Sequence, residues 1–502
     1  MKNTYNELST HMKDIKLLSV AASILGWDMR VSASGQSLMP PKGAIQRADQ
    51  LGLLSKVTHD WVVSDKTKNL LKTAHKMKGL NAIQLRNLEL WQRDYDLATK
   101  LPSEFVRELE KQRNTTEALW FQARPKNDYK MVQPELETLF ALIRKQATYL
   151  DPSKHQYDVM LDLYEKNATQ KDIDAYFGPL KSGVMNVLKK CINSSVKPNL
   201  NILKINANIE SQKKFSDLLW KLMGMPSERS NLFEAAHPFT TGYGNDVRIT
   251  THYDEDKVDA SMFSVIHEAG HALYELNLPE EHWWTPVGDA ISYGIHESQS
   301  RFPENILCKS PEFLTYLYPQ LQDLMPGYKD VSLEDFILAV NIVTPSLIRI
   351  YADEVTYSLH VILRYEMERD LFSDKITIAE LPHIWNQKIN DMLGIEVPND
   401  ADGVLQDTHW YSGYHGYFPS YALGNVYDGN LLYAMEKDVP NWKEELANGK
   451  LMPAMNWMKE NVHKHGSMYD PIPLIEKVTD TKPDSKYFLH YLNEKFSTIY
   501  NF

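Results

Sequence analysis

The sequence predicts a mainly α-helical protein with a deep central groove and a small β-hairpin beside its functional site. Apolar residues recur at three- and four-residue spacing over most of the 502 residues, which is the period of amphipathic helices. One region alone breaks this period, and no Gly/Ser-rich or Pro-rich linker divides the chain. We therefore expect one large domain over residues 1–502, although this length exceeds that of an ordinary single domain.

The helical segments can be placed in chain order. Helical spacing predicts one or two long helices over 82–120, and single helices over 172–191, 334–349 and 352–372. The exception to this period is a short hairpin. There Gly242, Gly244 and Asn245 provide a turn, and residues 247–253 then alternate between apolar or β-branched and polar types, as in a strand with one buried face.

Composition narrows the possible partners and compartment. A formal net charge of -12 argues against nucleic acid or an anionic membrane as a partner. Only Cys191 and Cys308 occur, which favours a reducing cytoplasm over secretion. The N-terminal residues have no apolar core typical of a signal peptide, and the longest nearly apolar stretch, 17–27, is too short to span a bilayer. We expect a cytoplasmic protein.

The segment HEAGH, residues 267–271, is the strongest indication of chemistry. Residues four apart on a helix share a face, so His267 and His271 can both point at one metal ion. Glu268 lies about 100° round the helix, where it can hold a water on the ion but is poorly placed to bind it. Gly270 weakens a helix interior by about 1 kcal/mol relative to Ala, so we expect another element to approach closely there.

A chance match is the alternative, because HExxH arises by accident in roughly a few chains per hundred. The setting favours a metal site, since six of the 17 histidines lie between residues 237 and 296. A catalytic metal also needs a third protein ligand and an open position. The downstream candidates are Glu275, Glu280, Glu281, His282, His296 and Glu297. We choose Glu297, which can begin a second helix packing across the first, and keep Glu275 and His296 as alternatives.

Two later segments carry further polar groups. In 345–355, Arg349 lies in a predicted helix, where Asp353 can pair with it at four-residue spacing. An ordinary ion pair on a helix surface would look the same. The segment 403–425 is rich in histidine and tyrosine, which are common donors to a developing oxyanion. An aromatic core loop would have a similar composition.

Six segments together resemble the signature series of the thermostable carboxypeptidase Taq family of metallocarboxypeptidases. In chain order they are HPF (237–239), DVRITT (246–251), HEAGH (267–271), HESQ (296–299), IRIYAD (348–353) and GVLQDTHW (403–410). Weaker similarity extends the resemblance over nearly the whole chain. Met29, Phe302, Pro303 and Asp428 depart from the family's pattern, and Pro303 should interrupt its helix early.

The resemblance implies a neurolysin-like helical fold, a homodimer, and release of single C-terminal residues from peptides with broad specificity. It implies that His267, His271 and Glu297 bind one divalent ion per chain and that Glu268 is the catalytic base. We expect zinc, with cobalt or manganese as alternatives. The rival functions are a zinc endopeptidase acting on short peptides and a catalytically inert helical peptide-binding protein.

The same resemblance suggests residues that contact the substrate. Arg349 is the first choice for binding its terminal carboxylate, with Arg248 as competitor and His237 as a further substrate-binding residue. His409 and Tyr421 are the choices for stabilising the oxyanion. Substitutes for Tyr421 are Tyr414 and Tyr417.

Overall fold

The computed structural model describes residues 2–33 and 36–502, which form a mainly helical protein with one small sheet, as predicted. Within these ranges the α-helices are α1 Lys2–Arg30, α2 Ala44–Val62, α3 Asp65–Ala74, α4 Ala82–Thr99, α5 Ser103–Lys126, α6 Gln133–Leu150, α7 Gln156–Asp162, α8 Gln170–Asn193, α9 Ile209–Leu222, α10 Val258–Leu276, α11 Tyr293–Arg301, α12 Pro311–Leu324, α13 Leu333–Val340, α14 Tyr357–Phe372, α15 Leu381–Leu393, α16 Pro419–Asp438, α17 Trp442–Ala447, α18 Met452–Asn461, α19 Pro471–Thr479 and α20 Ser485–Tyr500. The strands are β1 Val31–Ala33, β2 Gln36–Ser37, β3 Ser230–Ala235, β4 Thr240–Tyr243 and β5 Asp246–Thr251.

The sheet has the strand order β2-β1-β3-β5-β4. The predicted hairpin is confirmed as the antiparallel pair β4 and β5. Gly242 requires its glycine, because its φ is +133° and a Cβ there would lie 2.1 Å from the carbonyl oxygen of Asp246. The parallel pairing of β3 with β5 and the addition of β1 were not predicted. These pairings join distant parts of the chain, so the local alternation in 247–253 could not indicate them.

Two of the predicted helices need correction. The predicted helix over 334–349 is wrong beyond Val340, where α13 ends, and Arg349 lies in a three-residue 3-10 turn, Arg349–Tyr351. Pro345 disfavours helical geometry in Thr344, the residue before it, so a continuous helix from 334 to Arg349 is not favoured. The predicted helix over 352–372 begins only at Tyr357. The segment 82–120 forms two helices, separated near Pro102, and 172–191 lies within α8 as predicted.

The hydrophobic interior falls into two clusters. The larger joins elements from α5 to α20, and the smaller joins α1, α3 and α4. Helix α10, which carries the HEAGH segment, is buried over most of its length. None of the helices in the described ranges combines the length and apolar character that a membrane span requires. The organisation of the chain as one domain stays a prediction.

Helix α11 crosses α10 at Gly270. A Cβ on this residue would lie 2.4 Å from the carbonyl oxygen of Gln299 and 2.7 Å from the Cα of Ser300. The close approach that the sequence predicted at Gly270 is therefore confirmed. Helix α11 ends at Arg301 and continues as a π-helical turn, Phe302–Cys308, so Pro303 interrupts the α-helix where expected.

The first prediction concerns this crossing. We expect Gly270→Ala to lower the free energy of unfolding by about 1–3 kcal/mol, because the added methyl group forces two backbones apart. Urea denaturation measures the change. Gly52→Ala is the matched control, since a Cβ there meets nothing within 4 Å and Ala favours helix by about 1 kcal/mol. Equal stability of the two variants would contradict the close packing.

Candidate active site

The three predicted metal ligands lie together. Single donor atoms from His267, His271 and Glu297 all lie within 4.8 Å of one another. The Nε2 atoms of His267 and His271 are 3.9 Å and 3.7 Å from Oε2 of Glu297. Two imidazoles and one carboxylate at this spacing suit a divalent ion with a position left open for a water or substrate.

Each histidine is oriented by a contact on its other ring nitrogen. His267 Nδ1 is 2.8 Å from Oε2 of Glu304, which can only accept a hydrogen bond when ionised. When the ring acts as a ligand, the proton therefore sits on Nδ1 and the lone pair on Nε2, toward Glu297. This is the usual arrangement around metal-binding histidines. Glu304 was not predicted from the sequence, although it lies seven residues after Glu297, two helical turns along the same continuous segment.

A longer chain of contacts orients His271. Its Nδ1 is 2.6 Å from Nδ1 of His296, and Nε2 of His296 is 2.9 Å from Oε1 of Glu275. A neutral His296 that donates to Glu275 must accept at Nδ1. His271 then donates from Nδ1 and keeps its Nε2 lone pair for the ion. His296 and Glu275, the alternative ligands in the sequence analysis, thus support a ligand in this structure and stand outside the group of three donors.

The surrounding carboxylates favour a positive charge at His267. Burial lowers the pKa of His267, but the carboxylates of Glu304, Glu297 and Glu268 outweigh it and raise that pKa to about 9. Burial is the largest influence on the pKa of His271 and holds it well below its usual value, so this ring is neutral, as a ligand must be. A proton or a metal ion at His267 offsets the surrounding carboxylates.

Glu268 lies buried on the same helix and is held by strand β4. The hydroxyl of Thr240 donates to Oε2 of Glu268 at 2.6 Å. Burial raises the pKa of Glu268, with the opposing effects of His267 and Thr240 too small to reverse it. The carboxylate is therefore more basic than an exposed one. The sequence analysis also missed Thr240, which directly follows the HPF segment.

Glu297 is fixed by a residue of its own helix, α11, and by the neighbouring helix α16. Its Oε1 lies 3.5 Å from Nη1 of Arg301, one turn along. Arg301 is itself held by Asn425, whose side-chain oxygen accepts from Nε at 2.7 Å. On α16, Gly424 allows close packing, because a Cβ there would lie 3.3 Å from the side chain of Glu297.

Arg349 lies in a buried ion cluster that the sequence did not predict. It pairs with Asp407 at 2.8 Å, and Asp407 also accepts from Arg364 at 2.7 Å. Burial raises the pKa of Asp407, but these two guanidinium groups outweigh it and hold that pKa well below its usual range. The predicted pairing with Asp353 is wrong, because Asp353 accepts from the backbone N–H groups of residues 344, 355 and 356.

Aromatic contacts bring three predicted substrate-contacting residues together. The guanidinium of Arg349 lies 5.0 Å from the ring centroid of Tyr421. The ring of His409 stacks on Tyr417 at 5.4 Å and lies 6.3 Å from Tyr421. Burial, with smaller effects from neighbouring charges, lowers the pKa of His409 to about 4. Tyr414 is half exposed and contacts this group through Tyr417.

This aromatic group reaches the metal ligands through Tyr357. Nη1 of Arg349 donates to the Tyr357 hydroxyl at 3.3 Å. The guanidinium of Arg301, which contacts Glu297, lies 4.0 Å from the Tyr357 ring centroid. Arg349 is therefore separated from a metal ligand by two side chains.

The other two predicted substrate residues lie apart from these groups. Arg248 pairs with Asp246 at 2.7 Å and lies 4.6 Å from the ring of Trp27. Successive side chains alternate between the faces of a sheet, and Arg248 is opposite Thr241 in the ladder. It therefore faces away from Thr240, which contacts Glu268. His237 is exposed in the segment before β4.

The fold and the site together are those of a helical metallohydrolase whose HExxH helix is crossed by a helix that brings Glu297 within reach of the same candidate metal position. A family model described as carboxypeptidase Taq (M32) metallopeptidase matches residues 7–496. The chain belongs to this family. It is therefore a metallocarboxypeptidase, a hydrolase that acts on peptide bonds.

Similar proteins match over nearly the full length. Thermostable carboxypeptidase 1 of Thermus thermophilus is 35% identical over 512 residues, covering 99% of both chains. Carboxypeptidase 1 of Bacillus subtilis is 36% identical, covering 97% of both. Among solved structures, the M32 carboxypeptidase from Deinococcus radiodurans R1 has a TM-score of 0.95 at 31% identity over 100% of both chains. That of Pyrococcus furiosus carboxypeptidase has a TM-score of 0.93 at 34% identity, covering 98% of this chain and 99% of that one.

The second prediction concerns the metal ligands. We expect His271→Ala to lose most of the bound divalent ion, because one of three protein donors is removed. Elemental analysis after dialysis measures the metal per chain. His282→Ala is the control, since it removes a histidine that is not among the three grouped donors. Full metal retention by His271→Ala would mean that the ligand set is wrong.

Proposed function

We propose that this metallocarboxypeptidase releases single C-terminal amino acids from peptides with broad specificity, using Glu268 as the general base. The observation that carries the proposal is the grouping of donor atoms from His267, His271 and Glu297 within 4.8 Å, with the buried carboxylate of Glu268 on the same helix. We further propose that the protein is a homodimer in the cytoplasm.

The resident ion is proposed to be zinc, with cobalt or manganese as alternatives. The donor set of two histidines and one glutamate supports zinc, which favours four-coordinate sites of this kind. When bound, the ion supplies Lewis-acid activation of water and of the peptide carbonyl. His267, His271 and Glu297 hold it, and Glu304 and His296 keep the two rings in the required tautomers.

Glu268 takes the proton from the attacking water and then delivers it to the leaving amine. Its raised pKa supports both steps, because it brings the carboxyl closer to the pH at which it must accept and return a proton. The hydroxyl of Thr240 donates a hydrogen bond to Oε2 of Glu268, which leaves Oε1 free to accept the proton.

His409 and Tyr421 are proposed to donate to the developing oxyanion. A lowered pKa keeps His409 neutral, and a neutral imidazole has one N–H group that it can donate. Tyr417 lies against both residues and is the first substitute. Tyr414, which is half exposed, is the second.

Arg349 is proposed to bind the terminal carboxylate of the peptide. Two guanidinium groups share the single carboxylate of Asp407, so this ion cluster carries an excess positive charge. Arg349 has five N–H donors, and its contacts with Asp407 and Tyr357 use three of them. Arg248 and His237 remain the competing substrate-binding residues. The pairing of Arg248 with Asp246 and its direction away from Thr240 favour Arg349.

The third prediction tests the base. We expect Glu268→Gln to keep its metal and its fold but to lose about 10²–10⁴-fold in kcat, because proton transfer fails while the donor atoms remain. Peptide hydrolysis and elemental analysis on the same sample measure both quantities. Glu281→Gln, an exposed change on a turn, should leave both unchanged. Near-normal turnover by metal-loaded Glu268→Gln would overturn the mechanism.

The fourth prediction tests the carboxylate anchor. We expect the wild type to cleave a free-acid peptide and to leave its C-terminal amide nearly intact, because the buried cluster needs an anionic partner. Truncating one partner of a buried charge pair costs roughly 2–5 kcal/mol, so Arg349→Ala should lose roughly thirty- to several-thousand-fold in kcat/KM on the free acid. The loss on the amide should be small.

Arg248→Ala is the matched variant for this test. A large loss there with an unimpaired Arg349→Ala would move the anchor to Arg248. Equal cleavage of acid and amide by the wild type would favour the zinc endopeptidase alternative.

A further inference from the structure

His409 and Tyr417 lie at the two ends of a short segment that folds back on itself. Their rings stack with centroids 5.4 Å apart. Within the segment, the backbone N–H of Tyr414 donates to the carbonyl oxygen of His409 at 2.8 Å. The positions of both rings therefore depend on how residues 409–417 are held against the rest of the protein.

One buried carboxylate of α14 holds both ends of this segment. Oε1 of Glu368 accepts from the indole N–H of Trp410 at 2.7 Å, and Oε2 accepts from the backbone N–H of Gly416 at 2.8 Å. Trp410 directly follows His409 in the chain, and Gly416 directly precedes Tyr417. The same carboxylate therefore fixes the residue next to each of the two stacked rings.

The third contact of Glu368 comes from a different helix. The hydroxyl of Tyr157, on α7, donates to Oε2 of Glu368 at 2.8 Å. Glu368 is fully buried, and burial raises its pKa to about 7 although the three donors and Arg364 oppose this. Burying a carboxyl group is costly unless its oxygens are hydrogen-bonded, so these three donors keep Glu368 in its place.

Helix α14 also holds the residues just before His409. Arg364, one turn before Glu368, donates from Nε to Oδ2 of Asp407 at 2.7 Å and from Nη2 to Oε1 of Gln406 at 2.9 Å. His409 thus lies between two points at which its own segment is attached to α14. Attachment on both sides restricts the position of its ring.

We propose that Glu368 is a positioning residue, which holds His409 in the geometry that it needs to donate to the developing oxyanion. The inference rests on the proposed function, because it requires His409 to take that role. Such a donor must lie about 2.7–3.1 Å from the atom on which the charge develops, and a misplacement of roughly 1 Å can cost about 10²-fold in rate. Glu368 therefore acts on the chemical step rather than on substrate binding.

The first part of the test is Glu368→Gln in metal-loaded full-length protein. Glutamine has nearly the same shape, but its –NH₂ group cannot accept, so either Trp410 or Gly416 loses its acceptor. We expect kcat for a free-acid tetrapeptide of alanine to fall about ten- to hundredfold, with KM and metal content within about twofold of the wild type. Glu366→Gln, on the same helix, breaks ion pairs with two lysines and is the matched control, with kcat unchanged.

Tyr157→Phe separates positioning from general support of the fold. It removes the third donor to the same carboxylate but leaves both contacts with segment 409–417 in place. We expect it to lower the midpoint of urea unfolding, as Glu368→Gln does, while kcat stays within about twofold of the wild type. An equal loss of kcat in both variants would show that Glu368 only stabilises the fold, and the inference would be wrong.

A double-mutant cycle with His409→Ala tests whether the effect of Glu368 passes through His409. Removing an oxyanion donor lowers kcat by about 10²–10³-fold, and we expect this loss for His409→Ala alone. Adding Glu368→Gln should then lower kcat by less than about twofold further, because the ring that it positions is absent.

Two outcomes of this cycle overturn the inference, and they are distinguishable. A further loss in the double variant as large as that of Glu368→Gln alone would refute positioning while leaving the role of His409 intact. An unchanged kcat in His409→Ala would contradict the proposed oxyanion role itself, and the inference with it.

Discussion

The active site depends on the contact between α10 and α11 at Gly270. The carbonyl oxygen of Gln299 lies where a side chain on residue 270 would begin. This contact brings Glu297 to the two histidines of α10, and it also brings His296 within 2.6 Å of His271. A larger residue at 270 would separate a ligand and an orienting group from the same metal position at once. Glycine has a lower helix propensity than other residues, but it is needed at position 270 because a side chain there would keep the backbones of α10 and α11 apart.

The same contact concentrates negative charge in a buried region. The carboxylates around the two metal-binding histidines are Glu268, Glu275, Glu297 and Glu304. Arg301 and Lys309 offset part of this charge through contacts with Glu297 and Glu304. Since unpaired buried carboxylates are costly, the protein without metal keeps a proton on His267. A divalent ion held by His267, His271 and Glu297 would supply the missing charge, and the second carboxylate oxygen of Glu268 would stay available for its proposed role as base.

The spacing of residues in the sequence predicted those features of the fold that depend on neighbouring residues. The shared face of His267 and His271, the close approach at Gly270 and the hairpin before α10 all follow from neighbouring residues, and each is confirmed. Contacts between residues distant in the sequence were not predicted. Arg349 was expected to pair with Asp353 at helical spacing, but the helix ends at Val340 and Arg349 pairs instead with Asp407, 58 residues away. Thr240 and the parallel partner of β5 were missed for the same reason, because sequence periodicity carries no information on tertiary contacts. Glu297 was chosen among several downstream candidates because it could begin a helix packing across the first, and the family resemblance implied the same residue.

The proposed carboxylate anchor gives the active site a direction. Arg349 and Arg364 share the single carboxylate of Asp407, so excess positive charge lies there. Arg349 is linked to the candidate ligand Glu297 through the side chains of Tyr357 and Arg301. Because a charge left unpaired in a buried site is costly, a peptide with a free carboxylate would offset this charge, whereas an amidated peptide would not. An anchor of this kind recognises the end of the peptide chain and makes no demand on its side chains, which agrees with the broad specificity that we propose.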